Sequence, residues 1–291
     1  MTRKARAFRI LVATDGSAQA RAAIAAAAHF PWPPHAQVRI IVARRTRAER
    51  RRSILLTALD RGADAAAEGA RRTLSRRWSS VETVVVDKTP VEGILDEAER
   101  FKANVIILGW RGHGAIRRLL VGSVSRGVVR GAACAVLVVR RSVRIRRIVV
   151  GLDGSRTPKG ALAFVASLVP PADGRVILVT AVNTMRVPSR ALVLGAVDII
   201  REVKRTNASR RKTAMTELNR AALHLRRAGW QTRTVLTNGE PLRDLLGAVS
   251  SVRAQLLVVG ARGASGVRRL LLGSVAEGAL DRSPVPVLIA R

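Results

Sequence analysis

A chain of 291 residues with a formal charge of +32 has the length for two domains of ordinary size, each able to bury its own core. A single cysteine, Cys134, excludes an intrachain disulfide framework and a multi-cysteine metal knot, and the absence of Tyr beside four Trp and four Phe leaves few stacking platforms for single-stranded nucleic acid. The apolar stretches fall short of the roughly 20 residues a membrane helix needs, and the basic N-terminus lacks a signal-peptide core, so the expectation is a soluble cytoplasmic protein without an integral membrane segment.

The charge has no separable tail. Residues 1–143 hold 27 basic and 11 acidic residues, and residues 144–291 hold 25 and 9, so each half carries +16. Such a charge attracts polyanions at long range. Yet 46 of the 52 basic residues are Arg, which points to a compositional preference, and nucleic acid is not the expected main partner.

The first element is the apolar run Phe8 to Ala13, a short buried strand that ends in the turn Thr14-Asp15-Gly16-Ser17. An Ala-rich helix follows, Ala18 to His29, with Ser17 placed to cap it. A strand at Gln37 to Ala43, a long helical stretch at about Leu56 to Trp78, a strand at Glu82 to Val86 and a short helix from Pro90 come next. The run Val105 to Leu108 then leads into Gly109-Trp110-Arg111-Gly112, nine further residues, and Gly122-Ser123. Ala135 to Val139 is the last strand of this half.

Arg140 to Arg147 joins directly to a second copy of the same order, with no Gly/Ser linker, so the halves are expected to pack rather than swing. Ile148 to Leu152 and Asp153-Gly154-Ser155 answer the first strand and its turn. A helix at Thr157 to Leu168, strands at Gly174 to Ala181 and Gln231 to Leu236, a helix at about Ile200 to Ala228 and another from Pro241 follow. The strand Leu256 to Val259 precedes Gly260-Ala261-Arg262-Gly263, nine residues, and Gly273-Ser274, and the copy closes at Val285 to Ala290. Asp153 to Gly260 spans 13 positions more than Asp15 to Gly109, and the excess falls around Asn183 to Ile200. It reads as a packing element or surface loop before a lid.

A spacing written twice marks a duplicated domain. The predicted class is α/β, two tandem open parallel-sheet domains over residues 1–143 and 144–291, each of about five strands with helices on both faces. Glycines just beyond the fourth strand tolerate close ligand approach, and Gly122-Ser123 and Gly273-Ser274 stand where the next helix begins, so backbone N–H groups there can face a phosphate. The spacing is neither a Walker A loop nor a first-strand dinucleotide turn. Arg111 and Arg262 occupy matching places inside the loops, where a guanidinium meets a phosphate if the loop turns inward or solvent if it does not.

These paired motifs resemble those of tandem, UspA-like universal stress proteins, over essentially the whole chain. The resemblance implies an adenine nucleotide alpha hydrolase-like Rossmannoid fold, with ATP as ligand and Mg2+ as a candidate companion. It places Asp15, Gly109, Gly112, Gly122 and Ser123 at a first nucleotide site, and Asp153, Gly260, Gly263, Gly273 and Ser274 at a second. Ser125 matches a further hydroxyl near phosphate in binding members of the family, and Ala276 stands in its place in the second half. The resemblance also implies that the final strands pair the halves within one chain, with a homodimer and an unidentified protein partner beyond that.

The chain thus reads as an ATP-binding stress-response sensor or regulator, with a nucleotide-independent interaction protein of the same fold as the alternative. No catalytic constellation or metal-ligand spacing is visible. His113 lies inside the first glycine loop but meets Ala264 in the second, and Cys134, flanked by alanines, reads as a packed thiol.

Overall fold

The first strand explains why a sheet forms between two layers of helices. Along β1 (Arg9–Ala13), Ile10 and Val12 enter one apolar cluster while Leu11 and Ala13 enter another on the opposite face. A strand with both faces buried must be covered twice. The computed structural model describes residues 7–44, 54–111, 121–153, 159–182, 184–187, 189, 196–261 and 272–291.

The first half continues with α1 (Ala18–His29), β2 (Gln37–Arg44), α2 (Ile54–Leu74), β3 (Val81–Asp87), α3 (Pro90–Arg100), β4 (Val105–Gly109), α4 (Ser123–Gly131) and β5 (Ala135–Val139). The second repeats the order with β6 (Arg147–Leu152), α5 (Lys159–Ser167), β7 (Arg175–Ala181), α6 (Val197–Arg227), β8 (Gln231–Thr237), α7 (Pro241–Ser251), β9 (Leu256–Gly260), α8 (Ser274–Arg282) and β10 (Val287–Ala290). Local chemistry sets several of these boundaries. The Ser17 hydroxyl accepts from Ala20 N–H and starts α1, and Pro31 follows its last turn. Pro90 and Pro241 open α3 and α7, where a missing N–H costs nothing. The Glu240 carboxylate accepts from Leu242 and Arg243 N–H and caps α7, whereas Thr89 gives α3 no side-chain cap.

Two separate sheets are not what forms. The ten strands of the described residues make one sheet in the order β3-β2-β1-β4-β5-β10-β9-β6-β7-β8. Every pairing is parallel except the central one, where β5 and β10 run antiparallel with Val136 opposite Ile289, Leu137 opposite Leu288 and Val138 opposite Val287. The expected pairing of the halves through their last strands is therefore a backbone ladder. Leu137 and Leu288 are equivalent residues of the two repeats, so a pseudo-twofold axis passes between them. One consequence is that the carboxyl ends of β1–β5 and of β6–β10 point to opposite edges of the sheet.

Both apolar clusters cross the junction. On one face Leu137 and Leu288 share a core with α1 and α5, and on the other Val136, Val138, Val287 and Ile289 share one with Val128, Val129, Ala279 and Leu280. An aromatic group ties the repeats further. The Phe164 ring of α5 lies 6.0 Å from Phe8 and 6.4 Å from Trp32, which stacks at 4.3 Å on Phe30. Nearby, the Val169 N–H donates to the Pro31 carbonyl at 2.9 Å. Repeats joined by strand, core and loop do not swing independently.

The surplus length of the second repeat is partly helix. α6 begins at Val197, three residues earlier than the expected Ile200, and runs for 31 residues, roughly 46 Å at about 1.5 Å per residue. Its packed face is Val203, Ala214, Leu218, Ala221, Ala222 and Leu225. Met185, in the stretch before it, gives its N–H to Asn207 Oδ1 at 2.8 Å and accepts from Asn207 Nδ2 at 2.9 Å. That two-way amide contact fastens 184–187 to the helix. Residues 183, 188 and 190–195 of the extension lie outside the described residues.

Leu288→Ala should cost about 2–5 kcal/mol, because it empties a fully buried position on the pseudo-axis. Chemical denaturation of Leu137→Ala, Leu288→Ala and the double variant should give non-additive losses, since the two side chains stand opposite each other.

Candidate functional site

At the carboxyl end of β1 the chain must turn sharply into α1. Gly16 does so at φ +77°, a left-handed conformation that side chains resist. Asp15 Oδ1 accepts from Ser17 N–H at 2.9 Å, and Thr14 Oγ1 accepts from Gly16 N–H at 3.2 Å. The turn is thus built by its own side chains, and it leaves Asp15 exposed at the edge of the sheet.

β4 ends beside it. Gly109 has a packing reason to be glycine: an added Cβ would come within 2.7 Å of the Gln19 carbonyl carbon and 2.9 Å of Ala20 N, both backbone of α1. The space beside Gly109 is filled by the first turn of α1. Its carbonyl accepts from the Ser125 hydroxyl at 2.7 Å, which pins α4 to the end of β4. Ser125 is buried and its one proton is committed to this bond, so in this arrangement it braces the loop rather than offering a free donor.

The glycine loops share a closed base. Trp110 N–H donates to Val139 O and Gly122 N–H to Trp110 O, while Ala261 N–H donates to Ala290 O and Gly273 N–H to Ala261 O. Gly122 and Gly273 are the N-cap residues of α4 and α8, neither with a side-chain cap. Arg126 N–H is bonded back to Gly122 O, so the amides of Ser123, Val124 and Ser125 belong to the uncapped first turn, where an anion is favoured.

These parts surround one pocket of about 110 Å³, lined by Ala13, Thr14, Asp15, Ala20, Ile41, Ala43, Pro90, Ile94, Leu108, Gly109, Arg111, Val124 and Ser125. Its wall is apolar on the sheet and α3 side and polar around Asp15 and Arg111. The volume lies below the roughly 300–1,000 Å³ of ordinary ligand pockets. Arg111 also lies against the Trp110 ring, 4.0 Å from its centroid. Gly112 and His113 fall in 112–120, outside the described residues.

In the second repeat Asp153 is exposed after β6, Gly260 closes β9, and Gly273 and Ser274 start α8. Arg262 and Gly263 lie outside the described residues, as do Gly154 and Ser155. Two hydroxyls of the first pocket are missing here, since Leu152 replaces Thr14 and the buried Ala276 replaces Ser125. Leu245 fills the space at Gly151, where an added Cβ would come within 2.9 Å of its side chain.

Sequence reasoning missed how far the second repeat reaches into the first site. Trp110 Nε1 donates to Leu280 O at 3.1 Å, and Asp281 Oδ1 accepts from Arg126 at 2.7 Å and from Val121 N–H at 3.5 Å. Arg140 lies 3.6 Å from the centroid of the Trp110 ring, and burial together with the neighbouring Arg111 pushes its pKa below the ordinary arginine value. The available signal was the identity of Trp110, an aromatic in a chain that has few. Lys88, in the turn before α3, makes an exposed ion pair with Asp96 of that helix at 2.5 Å.

Among the described residues no group of three or more His, Cys, Asp or Glu could hold a metal, and no helix is long and apolar enough to cross a membrane. Mostly parallel strands with helices on both faces, and a pocket beyond the strand ends, define a duplicated open α/β fold. The sequence model described as the Universal stress protein family matches residues 7–140 and again 144–291, and the chain belongs to that family in tandem form. The universal stress protein Rv2005c of Mycobacterium tuberculosis is 31% identical over 238 residues, 77% of this chain and 72% of its own. The crystal structure of a universal stress protein from Archaeoglobus fulgidus shares the fold at 19% identity and a TM-score of 0.65, over 97% of this chain and 96% of that one. A universal stress protein solved in complex with cAMP is 25% identical over 46% of this chain and 98% of its own, with a TM-score of 0.38.

Gly109→Ala should lose about 1–3 kcal/mol in chemical denaturation, because the backbone it meets cannot yield as a side chain would. For Cys134, burial pushes the thiol up to about 11. Its alkylation by iodoacetamide should therefore be slow in the folded protein at about pH 8 and fast once denaturant exposes it, because only the thiolate reacts.

Proposed function

We propose that the chain is a stress-response regulator that binds an adenine nucleotide, with the first repeat as the stronger site and the second as a weaker one. The observation that supports this most directly is the convergence of Asp15, Arg111 and the uncapped N-terminus of α4 on one pocket whose remaining wall is apolar. An apolar wall suits a heterocycle, a carboxylate suits ribose hydroxyls, and helix amides suit phosphate.

In this reading Asp15 holds the nucleoside, Gly122 starts the turn, and Ser123, Val124 and Ser125 present the open α4 amides to phosphate, with Arg111 adding charge. Gly109 and Ser125 shape the pocket by holding α1 and α4 against β4. Gly112 completes the loop by motif. Mg2+ would accompany the phosphates rather than sit in a protein cage. Asp153, Gly260, Arg262, Gly263, Gly273 and Ser274 are the corresponding second-site residues. A bound nucleotide would place charge and bulk beside Arg111, which lies on the Trp110 ring, and so reach the junction between repeats. The same loop could instead serve the fold alone, with the protein acting through partners or a homodimer. The Gly109 packing favours that reading for this one residue.

Calorimetric titration of nucleotide-stripped protein with ATP, ADP, AMP and cAMP tests the proposal. The expected result is a tighter site and a weaker site, with Val124→Trp abolishing the tighter one and Val275→Trp the weaker. Absence of binding by all four ligands at millimolar concentration would leave the nucleotide-independent reading.

A further inference from the structure

Helices α4 and α8 meet across the pseudo-twofold axis beside the β5–β10 ladder. The axis carries Arg126 onto Glu277 and Arg130 onto Asp281, because Ser123 and Ser274 start the two helices at equivalent positions. Arg126 pairs with Asp281 at 2.7 Å, and Arg130 pairs with Glu277 at 2.7 Å. These two ion pairs are images of each other under the axis. Their signs are not: the first repeat supplies both cations and the second both anions.

Apart from the Trp110–Leu280 contact and the Phe164 aromatic group, the contacts around the ladder are indifferent to which repeats meet. Leu137 faces its own equivalent, Leu288. Arg140 donates to the carbonyls of Leu280 and Asp281 in the last turn of α8, and its equivalent Arg291 donates to those of Val129 and Arg130 in the last turn of α4. Both are cations at a helix C-terminus, favourable in any combination of repeats. Two first repeats meeting in the same way would oppose Arg126 with Arg130 twice, and two second repeats would oppose Glu277 with Asp281 twice.

We propose that the reversed charges of Arg126 and Arg130 on α4 and Glu277 and Asp281 on α8 are a pairing code, by which the β5–β10 surface accepts the unlike repeat of its own chain and rejects the like repeat of a second copy. A self-complementary surface built around an exposed strand otherwise associates with its own copies. The pairs act more by exclusion than by attraction. The side chains of Arg126 and Asp281 are 26% and 25% exposed, and those of Arg130 and Glu277 are 51% and 36% exposed, so solvent weakens the attraction. Like charges forced together at the same places are the stronger discriminator.

The full chain carries the test. Arg126→Glu with Arg130→Asp makes all four positions acidic, and Glu277→Arg with Asp281→Arg makes all four basic. Each double variant should denature at a lower urea concentration than the parent, and the quadruple exchange should return toward the parent. The two double variants, mixed, should form a one-to-one complex by light scattering that neither forms alone and that salt disperses. A quadruple variant as unstable as the summed doubles would overturn the proposal, as would doubles that associate no differently mixed than alone. If the reversals do not fold, Arg126→Gln, Asp281→Asn and their combination give a gentler cycle. Losses that fail to add, with the coupling shrinking at high salt, support the code, and strictly additive losses overturn it.

Discussion

The antiparallel contact between β5 and β10 is the constraint on which the molecule depends. Each repeat alone would end its sheet on a strand of Val and Leu with an open hydrogen-bonding edge, a surface that invites association. Pairing those strands satisfies the backbone, merges the two cores on both sides of the sheet, and leaves β3 and β8 as the outer edges. It also separates the two glycine motifs: the pseudo-twofold axis at Leu137 and Leu288 points the carboxyl ends of the two strand sets in opposite directions.

Since the axis relates unlike sequences, the junction is symmetric in shape and asymmetric in chemistry. Arg140 and Arg291 make the same contacts from either side, whereas Trp110 reaches Leu280 and its counterpart Ala261 has no ring to send back. Asp281 meets both Arg126 and the amide of Val121 at the foot of the first glycine loop. The first glycine loop therefore rests on the second repeat through a Trp110 contact for which Ala261 has no side-chain equivalent. Duplication supplied the geometry, and divergence at a few positions made the repeats unequal.

Inside the first pocket, glycine and serine motifs divide between shaping a fold and presenting groups to a ligand. Gly109 and Ser125 belong to the first kind, because α1 backbone fills the space at one and the hydroxyl of the other is bonded to it. Asp15, Arg111 and the first turn of α4 instead line the pocket, and the second role is the one proposed for them. Spacing could not separate the two, because a glycine that admits a phosphate and one that admits a helix are written with the same letter.

The succession of strands and helices within each repeat, the turn at Asp15, the cap at Ser17 and the duplication itself were legible in the sequence, because they rest on apolar runs, turn chemistry and repeated spacing. The start of α6 at Val197 was placed three residues late, since Pro188, Ser189 and Gly195 interrupt the sequence pattern before it and mask where helical periodicity resumes. Pairing of the final strands was expected from resemblance, and the single ten-stranded sheet it produces was not. Edge strands and core strands have the same apolar pattern, and only the tertiary structure shows which neighbour each one finds. The same holds for the charges. Arg126, Arg130, Glu277 and Asp281 stand in the sequence as four exposed-looking residues, and they become two complementary pairs only when the axis brings α4 against α8.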